Sequence, residues 1–258
     1  MKKQIIDFDV VSVQRHDCGT ALVELTSTCG AALPQMVPGQ FVNILVGDSR
    51  EAFLRRPISI FNADEKRNIL SLFIKRAGEG TQRLCDAREG DKWNILLPLG
   101  NGFKLDYKSG DKPLLVGGGV GVAPLYYLGW RLKADGVEPA FLLGGASAAD
   151  LPLLHMFEEI GETYVTTADG SEGVKGFVTD HPALASGKYT SLSVCGPTPM
   201  MKAVAAVAAN LGIECEVSLE NRMACGVGAC LCCVQDTDEG HKCVCTDGPV
   251  FDYKTVKW

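Results

Sequence analysis

The sequence lacks any apolar run close to the roughly 20 residues that a membrane-spanning helix requires. Its N-terminus lacks the apolar segment of a secretory signal peptide, and no run of basic residues stands out. The net charge of −6 at pH 7 gives no electrostatic support for binding to nucleic acid. These absences predict a cytoplasmic protein that binds neither a membrane nor nucleic acid.

Internal repeats and low-complexity segments are also absent, and the proportions of hydrophobic (46%) and charged (22%) residues are those of an ordinary globular protein. The length of 258 residues suits two compact domains and a small third one. Cysteine is distributed unevenly, because six of the 11 cysteines fall between residues 225 and 245. That segment therefore carries the strongest chemical signal.

Three of these cysteines, Cys225, Cys230 and Cys233, have the C-x4-C-x2-C spacing of plant-type two-iron ferredoxins. Such clusters take a fourth thiolate from farther along the chain, where Cys243-Val-Cys245 lies. The two glycines of the motif would let the loop curl and bring backbone N–H groups near the sulfurs. The pattern predicts a 2Fe-2S cluster.

Two other uses of the cysteines compete with this prediction. Structural zinc is usually held by two C-x2-C pairs, and Cys243-x-Cys245 is one residue too tight for the second pair. A disulfide framework is less expected still, because a cytosolic chain keeps its thiols reduced.

The first hundred residues show the period of two that is typical of strands. Ala21, Val23 and Leu25 alternate with their neighbours, and turn residues interrupt the pattern at 17–20 and 38–39. Further strands are predicted at residues 53–61, 69–75 and 92–97. Several short strands with little helical pattern between them predict a small antiparallel barrel.

Two motifs in this region suit a phosphate. Arg55-Arg56-Pro57-Ile58-Ser59 places guanidinium groups on a strand stiffened by proline, where bidentate contact with an anion is favourable. The segment 75–81 runs from a lysine into a glycine turn, and Thr81 is predicted to start a short helix that ends at Ala87. Alone, each fits a solvated charge pair or an ordinary turn; together they predict a bound diphosphate.

Near residue 110 the pattern changes to alternating strands and helices. Strands are predicted at 114–116, 141–143, 164–166 and 192–195, with helices to about 132 and over 151–160, 177–184 and 199–211. This alternation predicts a parallel sheet covered by helices on both faces.

The glycine loop after the first of these strands has the form Gly119-Val-Gly121-Val-Ala-Pro124. It suits either the approach of a diphosphate to the backbone or a tight strand-to-helix turn. Residues 144–155 contain no Arg or Lys to grip a 2′-phosphate, which favours NAD over NADP. Cys195, at the end of a later strand, is either buried packing or a neighbour of the nicotinamide.

These parts, in this order, resemble the ferredoxin–NADP reductase superfamily. The Arg-x-Tyr-Ser flavin motif of that family is matched by Arg56-Pro57-Ile58-Ser59, with isoleucine at the tyrosine position. Gly80-Thr81, G-x-G-x-x-P and Cys-Gly-Pro also match. The stretches at 55–59, 98–103, 220–230 and 245–251 narrow the resemblance to electron-transfer subunits that work with a separate FMN-containing subunit. It covers essentially the whole chain.

The resemblance implies a β plus α/β fold: an antiparallel FAD-binding barrel over residues 1–105, a parallel-sheet NAD-binding domain over 106–212 and a small 2Fe-2S domain over 213–258. It implies that Cys245 is the fourth cluster ligand, beside Cys225, Cys230 and Cys233, which leaves Cys232 and Cys243 as spare thiols. Cys195 and Glu220 are expected beside the reacting rings. The expected cofactor contacts are Arg56, Pro57, Ile58, Ser59, Phe73, Ile74, Lys75, Gly80 and Thr81 for the flavin, and Gly118, Gly119 and Gly121 for the nicotinamide nucleotide.

The function implied by the resemblance is a relay in pyrimidine biosynthesis. Electrons would pass from dihydroorotate, oxidised at FMN in a catalytic partner subunit, through the 2Fe-2S cluster and FAD to NAD+. Two copies of each subunit would form a heterotetramer. Two alternatives stay open: a flavin/iron–sulfur subunit of an NAD(P)H:ferredoxin or sulfide oxidoreductase, and a non-catalytic zinc module.

Overall fold

A closed antiparallel barrel forms the first part of the computed structural model, which describes residues 2–47 and 52–258. Its strand order is β1-β2-β5-β4-β3-β6. The barrel interior is filled by apolar side chains such as Phe8, Ile60 and Leu72, which are fully buried. The predicted barrel is confirmed, and its strands are β1 (Gln4–His16), β2 (Thr20–Ser27), β3 (Phe41–Ile44), β4 (Arg56–Asp64), β5 (Ile69–Lys75) and β6 (Lys92–Leu99).

The short helix of the barrel, α1 (Glu79–Cys85), begins two residues before the predicted start at Thr81 and ends before the predicted Ala87. The Thr81 hydroxyl accepts hydrogen bonds from the N–H groups of Ala77 and Gly78 and donates one to the Gly78 carbonyl. The Thr81 side chain therefore stabilises the first turn as the third residue of the helix, whereas the prediction made Thr81 the first residue.

The middle of the chain forms the predicted parallel sheet, with strands β7 (Pro113–Gly118), β8 (Ala140–Gly145), β9 (Glu162–Thr167), β10 (Val174–Lys175), β11 (Ser191–Cys195) and β12 (Glu214–Ser218). Their order is β10-β9-β8-β7-β11-β12. The α-helices of this region are α2 (Ala123–Ala134), α3 (Leu154–Glu158) and α4 (Thr198–Leu211).

Two of the predicted helices differ from those observed, and proline explains both. Residues 177–184 form two 3-10 turns, Val178–Asp180 and Pro182–Ala185, because His181 before Pro182 is held in an extended conformation. The helix predicted over 151–160 is reduced to α3, because Pro152 follows Leu151.

The C-terminal segment contributes a hairpin, β13 (Val234–Thr237) and β14 (Gly240–Cys243), and the strand β15 (Val250–Asp252). Strand β15 pairs antiparallel with β12 and extends the parallel sheet to seven strands. The division at residues 105/106 and 212/213 stays a prediction. Strand β12, which the predicted third domain would include, pairs within the sheet of the second.

Aromatic side chains fix the barrel against the parallel-sheet domain. Helix α2 packs on β4, where the ring of Tyr126 stacks on that of Phe61 with centroids 4.2 Å apart and an interplanar angle of 3°. The Tyr127 hydroxyl donates a hydrogen bond of 3.1 Å to the Met36 carbonyl. These contacts join the barrel to the parallel-sheet domain. None of the helices in residues 2–47 and 52–258 has the length and apolarity needed to cross a membrane.

Candidate functional site

A cleft of about 290 Å³ lies where the barrel, the sheet and residues 218–223 meet. The 3-10 turn and the start of α2, which follow β7, supply Val120 and Ala123. Residues 218–221 and Met223 supply the side that leads into the cysteine segment. The barrel supplies most of the predicted flavin contacts: Pro57, Ile58, Ser59, Phe73, Ile74, Lys75 and Thr81. The residues predicted to hold FAD therefore lie together in an open cleft that suits a flat, partly apolar ring system.

Arg56 and Gly80, the other two predicted flavin contacts, touch each other beside this cleft. A Cβ on Gly80 would lie 2.5 Å from Nε of Arg56, so only glycine lets the guanidinium lie over the start of α1. One Arg56 nitrogen donates to the Leu54 carbonyl at 2.7 Å, and the remaining guanidinium N–H groups can contact a phosphate.

Arg55, the first arginine of the same motif, is not placed to bind a phosphate. Its guanidinium donates hydrogen bonds to the backbone carbonyls of Asn43 and Asn94 and to the Asn94 side chain. Burial lowers its pKa. Arg55 therefore joins β3 to β6, which leaves Arg56 as the arginine of this motif that can contact a phosphate.

Cys195 and Glu220 are brought together, as expected for two residues beside the reacting rings. The Cys195 thiol lies 3.9 Å from Oε1 of Glu220, and Glu220 lines the cleft. Burial raises the pKa of Glu220, while its hydrogen bond with Cys195 lowers it. Burial, and then the Glu220 charge, raise the pKa of Cys195 well above its ordinary value. Cys195 is buried and Glu220 is exposed at the cleft, and the surroundings of the pair favour the protonated forms of both groups.

The glycine loop lies at the carboxyl end of β7, where parallel sheets bind their ligands. Gly118 ends the strand, and Gly119 begins a 3-10 turn with a φ of 58°. Gly121 approaches the end of β11 so closely that a Cβ on it would lie 2.6 Å from the Cys195 carbonyl oxygen. The loop predicted to hold the nicotinamide nucleotide therefore lies directly beside Cys195.

The segments that follow β8 and β9 carry the carboxylates Asp150 and Asp169, whereas the 2′-phosphate of NADP would need a cationic side chain. Asp150 accepts hydrogen bonds from the N–H and hydroxyl of Ser147, and Asp169 accepts two from Ser171, which itself accepts the Ala148 N–H. Residues 144–155 contain no Arg or Lys.

We therefore expect NADH to reduce the flavin with a kcat/KM at least about tenfold above that of NADPH. A 2′-phosphate without a cationic partner loses charge-assisted hydrogen bonds of roughly 1.5–3 kcal/mol each, and about 1.4 kcal/mol is one decade in rate. Stopped-flow flavin reduction with the two nucleotides is the measurement. Equal specificity constants would contradict the prediction and point to Lys175, whose side chain packs near Gly170 in the segment after β9.

The cysteine loop, residues 225–233, has no regular secondary structure, and its backbone N–H groups point at cysteine sulfurs. The Val227 N–H donates to Sγ of Cys225 at 3.4 Å, and the Gly228 N–H donates to Sγ of Cys245 at 3.2 Å. The Cys245 N–H donates to Sγ of Cys233 at 3.4 Å. N–H groups aimed at sulfur stabilise thiolates and tune the reduction potential of an iron–sulfur cluster.

The four predicted ligands form two adjacent pairs. Cys225 lies beside Cys230, and Cys233 lies beside Cys245. No three metal-binding side chains in residues 2–47 and 52–258 are arranged for a single metal ion. An all-thiolate set in two pairs fits a two-iron cluster, because each iron of such a cluster takes two protein ligands.

Two cysteines, Cys243 and Cys245, are placed to be the fourth cluster ligand. Cys243 also lies against the Cys233 thiol, because the hairpin pairs Val234 with Cys243. Cys245 is completely buried and in addition accepts the Gly228 N–H, whereas Cys243 is only half-buried. These contacts favour Cys245.

Several residues that line the cleft were not predicted from the sequence, and two of them come from elements described above. Phe41 on β3 and Val120 in the glycine loop both line it. A second cleft, of about 300 Å³, lies at the opposite, amino-terminal edge of the sheet, near Thr190 and Glu214. This second cleft is similar in size and contains none of the predicted site residues.

Comparison with known proteins gives a consistent result. Residues 220–257 match the model of the iron–sulfur cluster binding domain of dihydroorotate dehydrogenase B. The electron transfer subunit of dihydroorotate dehydrogenase B (NAD(+)) from Shouchella clausii is 45% identical over 83% of this chain and 84% of its own length. The corresponding subunit from Lysinibacillus sphaericus is 42% identical over 95% and 96%.

Among solved structures, an NADH-dependent reduced ferredoxin-NADP oxidoreductase, described for flavin-based electron bifurcation, superimposes with a TM-score of 0.86. It is 30% identical to this chain, and the match covers 97% of this chain and 90% of that one.

Proposed function

Because the chain belongs to the family of the electron transfer subunits of dihydroorotate dehydrogenase B (NAD(+)), we propose that it takes electrons from an FMN-containing catalytic subunit and delivers them to NAD+. The chain is an oxidoreductase subunit of pyrimidine biosynthesis that uses FAD, a 2Fe-2S cluster and NAD. The identity of the partner's flavin, the assembly as two copies of each subunit and the cytoplasmic location are parts of the proposal. The sequence resemblance supports them.

One observation carries the proposal. The cleft is bounded by the barrel, by the glycine loop through Val120 and by residues 218–223, which lead directly into Cys225. A flavin in that cleft would therefore have the nicotinamide loop on one side and the cluster segment on another. FAD supplies the exchange between the two-electron chemistry of nicotinamide and the one-electron chemistry of an iron–sulfur cluster.

The residues of this chain have separate roles in the proposal. Arg56, lying over Gly80, would bind the diphosphate of FAD, while Ser59 and the strand ends of β4 and β5 orient the ring. Cys225, Cys230, Cys233 and Cys245 would hold the cluster. Glu220, with Cys195 beside it, lines the cleft, and its raised pKa favours a protonated carboxyl there, where reduction of a flavin consumes a proton.

The surface around the cluster is the proposed contact with the catalytic subunit. Leu231 is 62% exposed and Val227 40% exposed, and both lie between cluster ligands. Cys230 and Cys232 are exposed as well. A one-electron relay has to lie between the two flavins, and exposed apolar side chains at this position suit a protein partner.

The division of labour between the subunits is testable. Alone, with FAD and the cluster, this chain is expected to pass electrons from NADH to an artificial dye and to leave dihydroorotate unoxidised. Addition of the FMN-containing catalytic subunit should start NAD+ reduction by dihydroorotate. The control is the catalytic subunit alone. With dihydroorotate as the electron donor, it should reduce a dye but should not reduce NAD+. Oxidation of dihydroorotate by this chain alone would overturn the proposal, and efficient ferredoxin reduction without the partner would favour the ferredoxin oxidoreductase alternative.

A further inference from the structure

Asn43, on barrel strand β3, is a polar side chain with no exposed surface in a position that the relay described above does not explain. Its neighbours Val42 and Ile44 belong to the barrel core. Asn43 shares the opposite face of the strand with Phe41, which belongs to the same buried hydrophobic cluster as Cys233 and Cys245. The buried amide therefore lies on the outer wall of the barrel, underneath the cysteine segment.

Asn43 connects that wall to the first cluster ligand. Its Nδ2 donates a hydrogen bond of 3.4 Å to the Cys225 carbonyl, across 182 residues of sequence. The next residue, Gly226, has a φ of 70°, and a Cβ on it would lie 2.7 Å from Nδ2 of Asn43. There is room for this contact only because residue 226 is glycine, so the loop and the amide are fitted to each other.

The strand that carries Asn43 is also part of the flavin site. Asn43 is the cross-strand neighbour of Pro57, and both Pro57 and Phe41 line the cleft. The Arg55 guanidinium donates to the Asn43 carbonyl at 3.1 Å and ties β3 to β6. Asn43 thus lies on a strand that Arg55 holds in place. It pairs with Pro57, which lines the proposed flavin cleft, and it is hydrogen-bonded to the Cys225 carbonyl.

The arrangement is costly, which argues against simple packing. Oδ1 of Asn43 is buried and has no hydrogen-bond partner among the described residues. An unsatisfied buried polar atom destabilises the folded state, and an apolar side chain of the same shape would avoid this cost.

We propose that Asn43 is a positioning residue, which holds the Cys225 end of the cluster loop against the wall of the flavin cleft and so sets the rate of electron transfer between FAD and the cluster. The proposal rests on the function proposed above. Electron transfer slows steeply with distance, so a loop released from β3 slows this step. Hydrogen bonds around the ligand loop also affect the electronic structure of the cluster.

The test uses the full chain with FAD and cluster bound and compares Asn43→Leu and Asn43→Asp with the wild-type protein. Leu keeps the approximate volume without polar atoms, and Asp keeps the shape without the donor. Asn62→Leu is the matched control, because Asn62 is a barrel asparagine on β4 whose Oδ1 is also buried without a partner. Stopped-flow mixing with NADH gives the rates of FAD reduction and cluster reduction, and EPR gives the g-values of the reduced cluster.

In both Asn43 variants the ratio of the cluster reduction rate to the FAD reduction rate should fall at least tenfold, with shifted g-values, whereas Asn62→Leu should keep both. If Asn43→Leu loses both cofactors, Asn43→Ser, which is smaller and retains a donor hydroxyl, is measured in the same way and should show an intermediate ratio. An unchanged ratio and spectrum in any Asn43 variant that retains both cofactors would overturn the proposal. Failure of the relay itself would instead appear in the wild-type protein, as a cluster that NADH does not reduce.

Discussion

Replacement of Cys245 by serine is expected to abolish the cluster, whereas replacement of Cys243 leaves it in place. Serine offers a hard hydroxyl in place of the soft thiolate that iron–sulfur clusters require. Iron and acid-labile sulfide should both fall from about two per chain to near zero in Cys245→Ser, and likewise in Cys225→Ser, Cys230→Ser and Cys233→Ser. Dihydroorotate-to-NAD+ transfer should become undetectable in these four variants.

Cys243 shapes the turn that presents Cys245, and it does so through its backbone. Its N–H donates to the Asp247 carboxylate at 2.7 Å, and its carbonyl accepts the N–H groups of Thr246 and Asp247. Serine preserves all of these bonds, so Cys243→Ser should keep its iron, as should Cys232→Ser. Cys29→Ser, at an exposed thiol of the barrel domain, is the matched control. An intact cluster in Cys245→Ser together with its loss in Cys243→Ser would show that the fourth ligand had been assigned to the wrong cysteine.

The second large effect is expected at Gly121. A Cβ there would lie 2.6 Å from the Cys195 carbonyl oxygen and 2.7 Å from both the Cys195 carbonyl carbon and Cα of Gly196. All three are backbone atoms of the strand end, so the strain cannot be relieved by rotation of a side chain. The glycine loop or the end of β11 must move by several tenths of an ångström.

Gly121→Ala should therefore cost about 1–3 kcal/mol of unfolding free energy, the usual range for overpacking. Flavin reduction by NADH should slow by up to about a hundredfold, since a misplacement of 1 Å can cost that much. Denaturant unfolding and stopped-flow reduction measure the two effects. Gly47→Ala is the control, because a Cβ on Gly47 would meet no atom of the described residues within 4 Å. Wild-type stability and rate in Gly121→Ala would show that the loop is not held against Cys195.

Much of the fold could be predicted because local pattern and tertiary role agree. Strand β5 matches its predicted limits, Ile69 to Lys75, since its apolar residues fill the barrel. The prediction of a helix over 177–184 was wrong. The segment has an apolar pattern that suits a helix, but Pro182 keeps the preceding residue, His181, out of the helical conformation. Sequence periodicity reports which residues are buried, and hydrogen-bonding capacity decides whether a helix can continue.

The candidate site shows a similar division. Spacing within one short segment indicated Cys225, Cys230 and Cys233, because neighbours in sequence must be neighbours in space. Residue type alone does not distinguish Arg55 from Arg56, since their roles depend on the direction that each side chain takes at the start of β4. Arg55 meets Asn94, a residue 39 positions away. Asn43 gave no signal at all, because its partner is 182 residues away.

The pairing of strand β15 limits where the 2Fe-2S segment can be cut out and joined to another protein. It belongs to the cysteine-bearing segment by sequence and to the NAD-binding sheet by pairing, where it covers the edge of β12. A graft of the 2Fe-2S segment onto another reductase would have to supply a matching edge for residues 250–252. A donor chain cut at the same place would be left with an uncovered sheet edge, open to pairing with a second molecule.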